Sequence, residues 1–335
     1  MDCKFIDFSK VSSKLWDKEV DKMEGHTHLV SSNSINYYSA FDKIFNKSFL
    51  IEFEKKIVGI VPLAINKNFK DYIYGFNYNY CPSPVFISGL KPSTRRKILK
   101  SLFAHIKNMN LNIKKLNLFT HPVFYSKNKF EINSKNQFEL LEFTKNFSVI
   151  NTLILDLKLD EEELLNNMSK YHKRNISRIK SSMTFNIYDN KKKSILEKKF
   201  KEFKNLHFES AGKKTRPDST WDIMFQNIMN GSGVLFSSMV EKKDISFLYC
   251  GVFKDFAWGW SQVNKQGLEK KYMPRHFLEW KAIQYFKLRN FCYYELGENY
   301  RNKVKKFTKK EISIAEFKEK YGSPSYPKSS FQLKL

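Results

Sequence analysis

Three strand-like segments in the second half of the chain constrain its fold the most. They read "GVLFSSMVE", "ISFLYCGVF" and "FAWGWSQV", and only short polar turns separate them. Apolar segments of this length, joined by tight turns, are typical of strands that pair with their sequence neighbours in antiparallel fashion. The sequence therefore predicts a meander of three antiparallel strands.

The segments before the meander predict alternating strands and helices. "INTLILDL" is a nearly continuous apolar run, as expected for a strand that is buried on both faces. Asp160 and Glu163 have the spacing of a capping box and predict a helix over about 161–181. The strand "TFNIYD" follows, and then come two helices that end at Gly212 and Gly231.

After the meander, Pro274 is well placed as the first residue of a helix that reaches about Asn290. The strand "FCYYELG", a helix that ends at Gly322 and a last strand "SFQLKL" complete the chain. The whole second half thus reads strand, helix, strand, two helices, three strands, helix, strand, helix, strand. Strands mixed with helices in this order predict an α/β or α+β fold with mixed sheets.

The first half has a similar order of elements. Helices are predicted near 13–23 and 34–46, and strands at "SFLIEFE", "IVGIVPLAI" and "DYIYGFN". A helix at about 92–108 and the strand "IKKLNLFT" follow. A chain of 335 residues is long enough for two domains. We therefore expect two copies of one architecture, with domains at 1–155 and 156–335.

The chain is strongly basic, with a formal net charge of +25. Such a charge favours an anionic partner, which would be a nucleic acid, a nucleotide or a membrane surface. A compositional bias explains the charge equally well, because only eight of the 59 basic residues are arginine. Peripheral contact with a membrane therefore stays open at this point.

Targeting and redox signals are weak in this sequence. The N-terminus "MDCKFIDFSK" has no apolar segment of a signal peptide, and no apolar run is long enough to cross a membrane. The four cysteines are scattered, with no pair at zinc-ligand spacing. We therefore expect a cytoplasmic protein with free thiols and without a metal site.

The helix "SKYHKRNISRIKSS" carries five fixed positive charges and no acid. Its helical spacing places Met168, His172, Ile176 and Ile179 on one apolar face, so His172 is expected to be packed inside. Tyr171, Arg174 and Arg178 share a second face. Because arginine suits planar oxyanions better than lysine does, we predict that this second face binds an anionic substrate or donor.

Four segments, taken in order, resemble one known family. They are "LILDLKLDEEELLNNMSKYHKRNISRIKSS", "HFESAGKKTRPDSTWD", "MPRHFLEWKAIQYFKLRNFCYYELG" and "ISIAEFKEKYGSP". Together with the order of elements, they resemble the FemAB/FemX-like acyltransferases of the GNAT fold, in which two GNAT-like lobes form one chain. Tyr321 stands where the family usually has Phe. The resemblance covers nearly the whole chain and includes the family's acetyltransferase-like relatives.

The resemblance implies transfer of an acyl or aminoacyl group to an amine or a hydroxyl. Our leading expectation is transfer from acyl-CoA to a cell-envelope or nucleotide-linked sugar precursor, with no metal. An alternative is transfer from aminoacyl-tRNA to a peptidoglycan-type precursor. A third expectation, from another class, is a basic nucleic-acid-binding module without catalysis.

The resemblance also implies where the donor binds. The strand with Trp258, Gly259 and Trp260 would polarise the donor carbonyl through its backbone, an oxyanion-hole role. The donor phosphates would meet the next loop and helix, where the following basic residues lie: Lys270, Lys271, Arg275 and His276. Ordinary GNAT enzymes have a glycine-rich phosphate loop, and this loop departs from that pattern with Gly267 alone.

The strand after the phosphate-facing helix supplies the candidate catalytic residues. A carboxylate of Glu295 or Glu298 would take a proton from the attacking amine, directly or through water. Tyr294 or Tyr300 would protonate the leaving thiolate or ribose oxygen. Lys318 matches the lysine of the family's closing "FK" pair and would contact the acyl donor or an acceptor phosphate.

Overall fold

The computed structural model describes most of the chain. The described residues are 3–68, 73–76, 79–109, 113, 115–126, 129–132, 138–178, 183–191, 193–299 and 307–334. They form two compact units, Met1–Val149 with Pro327–Leu335, and Ile150–Tyr326. We call them the first and the second unit. The division into domains at 1–155 and 156–335 stays a prediction about independent folding.

Short strands and helices alternate over residues 4–141. The strands are β1 (Lys4–Asp7), β2 (Met23–Glu24), β3 (Ile44–Asn46), β4 (Phe49–Phe53), β5 (Lys56–Val61), β6 (Ala64–Asn66), β7 (Ile73–Tyr74), β8 (Cys81–Pro82), β9 (Val85–Ile87), β10 (Lys115–Phe119), β11 (Val123–Ser126) and β12 (Lys129–Ile132). The helices are α1 (Ser13–Val20), α2 (Ser32–Ser39), α3 (Pro92–Asn108) and α4 (Phe138–Leu141). Short 3-10 helices cover Phe8–Lys10 and His28–Val30.

The elements of the remaining chain are longer. The strands are β13 (Thr144–Asp156), β14 (Thr184–Tyr188), β15 (Gly233–Val240), β16 (Lys243–Phe253), β17 (Phe256–Asn264), β18 (Tyr293–Asn299) and β19 (Ser325–Lys334). The helices are α5 (Glu161–Asn167), α6 (Lys170–Ser177), α7 (Lys193–Ala211), α8 (Asp218–Met229), α9 (Glu269–Tyr272), α10 (Pro274–Lys287) and α11 (Lys309–Glu319).

The first unit contains both parallel and antiparallel strand pairs. Five strands form one sheet in the order β1-β4-β5-β9-β2, and its pairs are all antiparallel. β10 pairs with β7 and β8 in parallel and with β19 in antiparallel fashion. The core of this unit includes the apolar face of α3, with Ile98, Leu99, Leu102 and Ile106 buried. Its helical spacing explains why α3 forms here.

The second unit contains the predicted meander. β14, β15, β16 and β17 pair in sequence order, and every pair is antiparallel. β17 then pairs with β18 in parallel, and β18 pairs with β13 in antiparallel fashion. The tight turns of the meander place Glu241, Lys242 and Lys254 in the left-handed region, with φ between 50° and 63°. The meander prediction is therefore confirmed.

Helix α10 lies deep in the second unit. Ten of its residues are buried, and they include Phe277, Trp280, Ile283 and Phe286. A helix that is buried nearly all round belongs to the core rather than to a surface layer. Polar residues on such a helix are costly to bury, so Glu279 and His276, both buried on α10, need partners inside the unit.

The helix predicted over about 161–181 is two helices. α5 ends at Asn167 and α6 begins at Lys170, because Met168 and Ser169 have extended backbones with ψ of 151° and 150°. The side chain of Ser169 caps α6 by accepting a hydrogen bond from the N–H of His172. The N–H of Ser169 donates to the carbonyl of Lys320 at 2.9 Å. This tertiary hydrogen bond breaks a helix that the apolar spacing alone would continue.

Two predictions in the first half are also wrong in detail. The helix predicted near 34–46 ends at Ser39, and Ile44–Asn46 forms strand β3, which pairs with β6. The segment "IVGIVPLAI" is two strands, β5 and β6, because Pro62 cannot donate a ladder hydrogen bond. Among the described residues, no helix has the length and apolar character that crossing a membrane requires.

Candidate active site

Strands β17 and β18 diverge in the middle of the second unit. They pair only from Phe256 opposite Tyr293 to Trp258 opposite Glu295. β17 also contains a bulge, because Gly259 pairs with Cys250 and Ser261 pairs with Tyr249, which makes Trp260 the extra residue. A bulge bends the strand and redirects backbone groups, and bulges often lie next to active sites. The strand edge from Gly259 onward is therefore a natural place for a ligand.

The side chains of Tyr294 and Glu279 form a buried pair next to Gly259. The hydroxyl of Tyr294 donates a hydrogen bond to Oε1 of Glu279 at 2.7 Å. A Cβ atom at Gly259 would lie 3.0 Å from the Tyr294 oxygen and 3.5 Å from Oε1 of Glu279. Both side chains are buried. Glycine at this position therefore lets the Tyr294 hydroxyl approach the backbone of the bulge.

Two basic side chains act on this pair. Arg275 is one helical turn before Glu279 on α10, and its guanidinium carbon lies 3.7 Å from the ring centre of Phe317. Lys318 follows Phe317 on α11, and its charge acts on Glu279. The two residues of the "FK" pair on α11 thus have different contacts. Phe317 packs against the guanidinium of Arg275, and the charge of Lys318 acts on the carboxylate of Glu279.

Gly297 makes the room that Lys318 occupies. Its φ is +107°, and a Cβ atom there would lie only 2.5 Å from Nζ of Lys318. The strand has a register shift at this point, since Leu153 pairs with Gly297 and Ile154 pairs with Glu295. The position of Lys318 therefore requires a glycine at the end of the "ELG" strand.

The two predicted carboxylates of β18 differ in exposure. Glu295 is buried, and its Oε1 accepts a hydrogen bond from the hydroxyl of Thr152 at 2.6 Å. Glu298 is partly exposed. The charges of both act on Lys318. Of the two, Glu298 is therefore the more accessible to a substrate.

Burial shifts the pKa values of Glu279, Lys318 and Tyr294. It raises the pKa of Glu279, although the hydrogen bond from Tyr294 and the charges of Arg275 and Lys318 favour the ionised form. Burial lowers the pKa of Lys318, and Glu279 opposes this shift. Burial also raises the pKa of Tyr294 well above its usual value. The opposite shifts of Glu279 and Lys318 bring the proton affinities of this acid and this base closer together.

An aromatic and histidine cluster joins helices α6, α10 and α11. The rings of His172 and His276 lie 4.6 Å apart, and His172 also contacts Phe317 and Tyr321. His276 hydrogen-bonds the side-chain amide of Asn175 at 3.2 Å. Tyr171 contacts His276 at 5.8 Å but is 44% exposed. The expectation that His172 is packed inside is confirmed.

A cleft of about 390 Å³ lies along the open edge of β17. Its lining comes from β17, α10, α11 and the end of α7: Ser210, Gln262, Val263, Asn264, Arg275, Lys310, Ser313 and Ile314. The side chain of Gln262 donates to the carbonyl of Arg275 at 3.4 Å. A second cleft of about 580 Å³ lies at the start of α6, next to Asn167, Ser169, Glu316, Glu319 and Lys320.

The structure brings only some of the predicted residues together. Gly259, Arg275 and Lys318 surround the Tyr294–Glu279 pair, and His276 is the next residue of α10. Trp258 is packed over Gly251 and next to Trp260 and Phe256. The predicted role of the two tryptophans in donor binding stays a prediction.

Other predicted residues are exposed or are not described. Lys271 is exposed and lies 5.0 Å from the ring centre of Tyr272. Arg174 and Arg178 are exposed at the end of α6. The side chain of Lys270 and the whole of Tyr300 lie outside the described residues. Their predicted roles stay predictions.

Sequence reasoning missed Glu279. The only available signal was its position, four residues after Arg275 on a helix that is otherwise mostly apolar. An acid on a core helix implies a buried partner. In the described part of the chain, no group of three or more His, Cys, Asp or Glu side chains could hold a metal ion.

Comparisons with known proteins identify the fold. No protein-family model and no curated protein matches the sequence. Solved structures do match: FemX has a TM-score of 0.68 at 11% identity, over 100% of this chain and 98% of that chain. A tandem GNAT protein from the clavulanic acid biosynthesis pathway has a TM-score of 0.58 at 9% identity, over 99% and 98% of the two chains.

L-PGS from Bacillus licheniformis has a TM-score of 0.57 at 11% identity, over 94% of this chain and 89% of that chain. Identities this low bear on the fold and not on the reaction. They confirm the predicted fold class and the resemblance on which it rested. The chain therefore has the mixed α/β fold of the FemX-like proteins, with two GNAT-like lobes.

Proposed function

We propose that the protein is a cytoplasmic acyltransferase that acts on an amine or a hydroxyl. The observation that carries this proposal is the opening between β17 and β18, with the Tyr294–Glu279 pair directly below Gly259. The proposed donor is acyl-CoA, and the proposed acceptor is a cell-envelope or nucleotide-linked sugar precursor. The tandem GNAT protein with a similar fold is described as the form without AcCoA, which points to AcCoA as a ligand of that protein and supports the choice of donor.

In the proposed reaction, the acceptor nitrogen or oxygen attacks the acyl carbonyl carbon. Backbone N–H groups of the bulge at Gly259 to Ser261 stabilise the negative oxygen that forms. The carbon–sulfur bond then breaks, and the leaving thiolate takes the proton of Tyr294. Glu279 orients that hydroxyl, and Tyr294 regains its proton through solvent when Glu298 releases the proton of the acceptor. Glu298 receives the proton of the acceptor, directly or through water.

Lys318 has an electrostatic role in this proposal. The charges of Glu279, Glu295 and Glu298 oppose the fall that burial causes in the pKa of Lys318, so they favour its charged form. Glu295, whose carboxylate accepts a hydrogen bond from Thr152, adds a negative charge that acts on this lysine. The exposed residues Tyr171, Arg174 and Arg178 are proposed to bind the anionic part of the acceptor.

Aminoacyl-tRNA is the second candidate donor. Two observations favour it: the net charge of +25 and a loop after β17 with no glycine pattern beyond Gly267. The leaving group would then be a ribose oxygen, and Tyr294 would protonate it in the same way. Contacts between lysines and phosphates predict an affinity for tRNA that falls steeply as salt rises.

The test incubates the purified protein with amino-sugar and peptide acceptors, together with either acetyl-CoA or charged tRNA, and detects products by mass spectrometry. Tyr294→Phe and Glu298→Gln are each expected to lower kcat by about a hundredfold, the usual size of an acid–base contribution. Tyr293→Phe, at the neighbouring position on β18, is the matched control and should keep its activity.

Equal rates for Tyr294→Phe and Tyr293→Phe would remove the proposed acid. Retention of nucleic acid without any transfer product would favour the third expectation, a non-catalytic binding module.

A further inference from the structure

The side chains that line the cleft along β17 include two cations and no acid. Arg275 and Lys310 approach it from α10 and α11, and none of its lining residues is acidic. Among the described residues, no carboxylate forms an ion pair with either cation. The charge of Glu279 acts on the partly buried guanidinium of Arg275 without forming an ion pair, so an anion in the cleft would give this guanidinium a direct partner.

The polar side chains of the cleft fit an oxyanion. Ser210 and Ser313 offer hydroxyl donors, and Gln262 and Asn264 offer amides. Oδ1 of Asn264 is buried and has no hydrogen-bond partner among the described residues. The volume of about 390 Å³ falls in the range of about 300–1,000 Å³ that ligand pockets have. The cleft thus combines cations, neutral donors and space.

The loop that follows β17 offers few of the features of a phosphate cradle. Gly267 is its only glycine, with φ of +80°, and Lys271 is exposed beside Tyr272. Glycines allow the backbone N–H groups of such loops to surround a phosphate. A chain without them must bind phosphate mainly through side chains.

We infer that Lys310 and Arg275 hold a phosphate group of the donor in this cleft, in place of a glycine-rich loop. The inference rests on the proposed function, because it assumes a donor that carries phosphates. The shared chemistry is the phosphate itself, which would belong to coenzyme A or to the 3′ end of a tRNA. Arg275 offers a planar set of donors above Phe317, and Lys310 offers a mobile point charge from α11.

Isothermal titration calorimetry at low salt tests this inference with inorganic pyrophosphate as the probe. Lys310→Ala should weaken pyrophosphate binding about tenfold, the effect of one charge-assisted hydrogen bond. Lys309→Ala is the matched control, since it removes the same charge from the preceding, exposed residue of α11, which does not line the cleft. It should change the affinity less than twofold.

Arg275→Met keeps an unbranched side chain over Phe317 and should also weaken binding about tenfold. Circular dichroism checks that this variant is folded, and Lys310→Ala keeps the test decisive if it is not. Competition identifies the source of the phosphate: coenzyme A and a short RNA ending in CCA are each titrated against bound pyrophosphate. The competitor whose affinity depends on Lys310 carries the phosphate.

Equal affinities of Lys310→Ala and Lys309→Ala would overturn the inference, and so would a larger loss in Lys271→Ala. The absence of pyrophosphate binding to the unmodified protein would overturn it as well. Because binding of pyrophosphate requires no transfer, these outcomes leave the proposed function intact. Conversely, a protein that binds pyrophosphate through Lys310 but transfers no acyl group would contradict the proposed function alone.

Discussion

Gly297 shows how a single residue sets the geometry of the site. Its φ of +107° is a conformation that residues with a side chain rarely adopt, and Lys318 occupies the space of the missing Cβ atom. The sequence contains the "ELG" motif but not the reason for it. The reason is a contact between residues that are 21 positions apart, and no local pattern encodes such a contact.

We predict that Gly297→Ala destabilises the second unit by about 2 kcal/mol or more, because backbone strain adds to a clash with Lys318. Chemical denaturation measures the change. Gly231→Ala is the control: its φ is +79°, and its nearest contact would be an ordinary 3.6 Å. It should cost about 1 kcal/mol.

A double variant, Gly297→Ala with Lys318→Ala, should recover part of the loss, since it removes the clash and leaves the strain. Equal losses in Gly297→Ala and Gly231→Ala would show that Lys318 does not restrict this position.

At the scale of elements, the packing of α6 against α10 and α11 depends on neutral histidines. His172 is fully buried between His276, Phe317 and Tyr321. Burial lowers its pKa to about 3, and the charges of His276, Lys320 and Arg275 add to this shift, while the backbone of Phe317 opposes it weakly. Burial lowers the pKa of His276 to about 4 in the same way.

We predict that the second unit loses stability as the pH falls below about 6.5, the ordinary value of histidine. The unfolded chain takes up protons there, whereas the folded unit excludes them until about pH 3 to 4, so unfolding is favoured in that window. Each such histidine adds a slope of up to about 1.4 kcal/mol per pH unit.

Urea denaturation at several pH values between 4 and 7 measures this slope. The ring of His172 forms no hydrogen bond of normal geometry, and His172→Phe replaces it with an apolar ring of similar size, so this variant should fold. Its slope should be lower by up to about 1.4 kcal/mol per pH unit, the contribution of one proton. An unchanged slope in His172→Phe would show that His172 is not the group that titrates.

The order of most elements could be predicted from the sequence, because caps, turns and apolar periods are local signals. Asp160 and Glu163 form the predicted capping box, and Pro274 begins α10. The break between α5 and α6 could not be predicted in this way. It depends on the hydrogen bond from Ser169 to the carbonyl of Lys320, which is 151 residues away.

For the whole molecule, the excess of positive charge is the dominant electrostatic feature. A net charge of +25 destabilises a compact state by self-repulsion, and salt screens that repulsion. The same charge attracts anionic partners, so stability and binding should respond to salt in opposite directions.

We predict that the thermal midpoint rises by a few degrees when NaCl increases from about 0.01 M to about 0.15 M, over which the Debye length shortens from about 30 Å to about 8 Å. Differential scanning calorimetry measures the midpoint. KCl at equal ionic strength is the control and should have the same effect, because screening does not depend on the identity of the cation. A midpoint that is constant or falls with salt would contradict the prediction.

The sequence by itself determined the meander, the starts of α5 and α10 and the repeated order of elements, since these follow from periodicity, capping and turn chemistry within a few residues. It also indicated Arg275 and Lys318 through a resemblance. Only the tertiary structure decided that Glu279 meets Tyr294 below Gly259, and that Lys310 and Arg275 share a cleft. The physical reason is that the free energy of a buried charge depends on what surrounds it, and those neighbours come from distant parts of the chain.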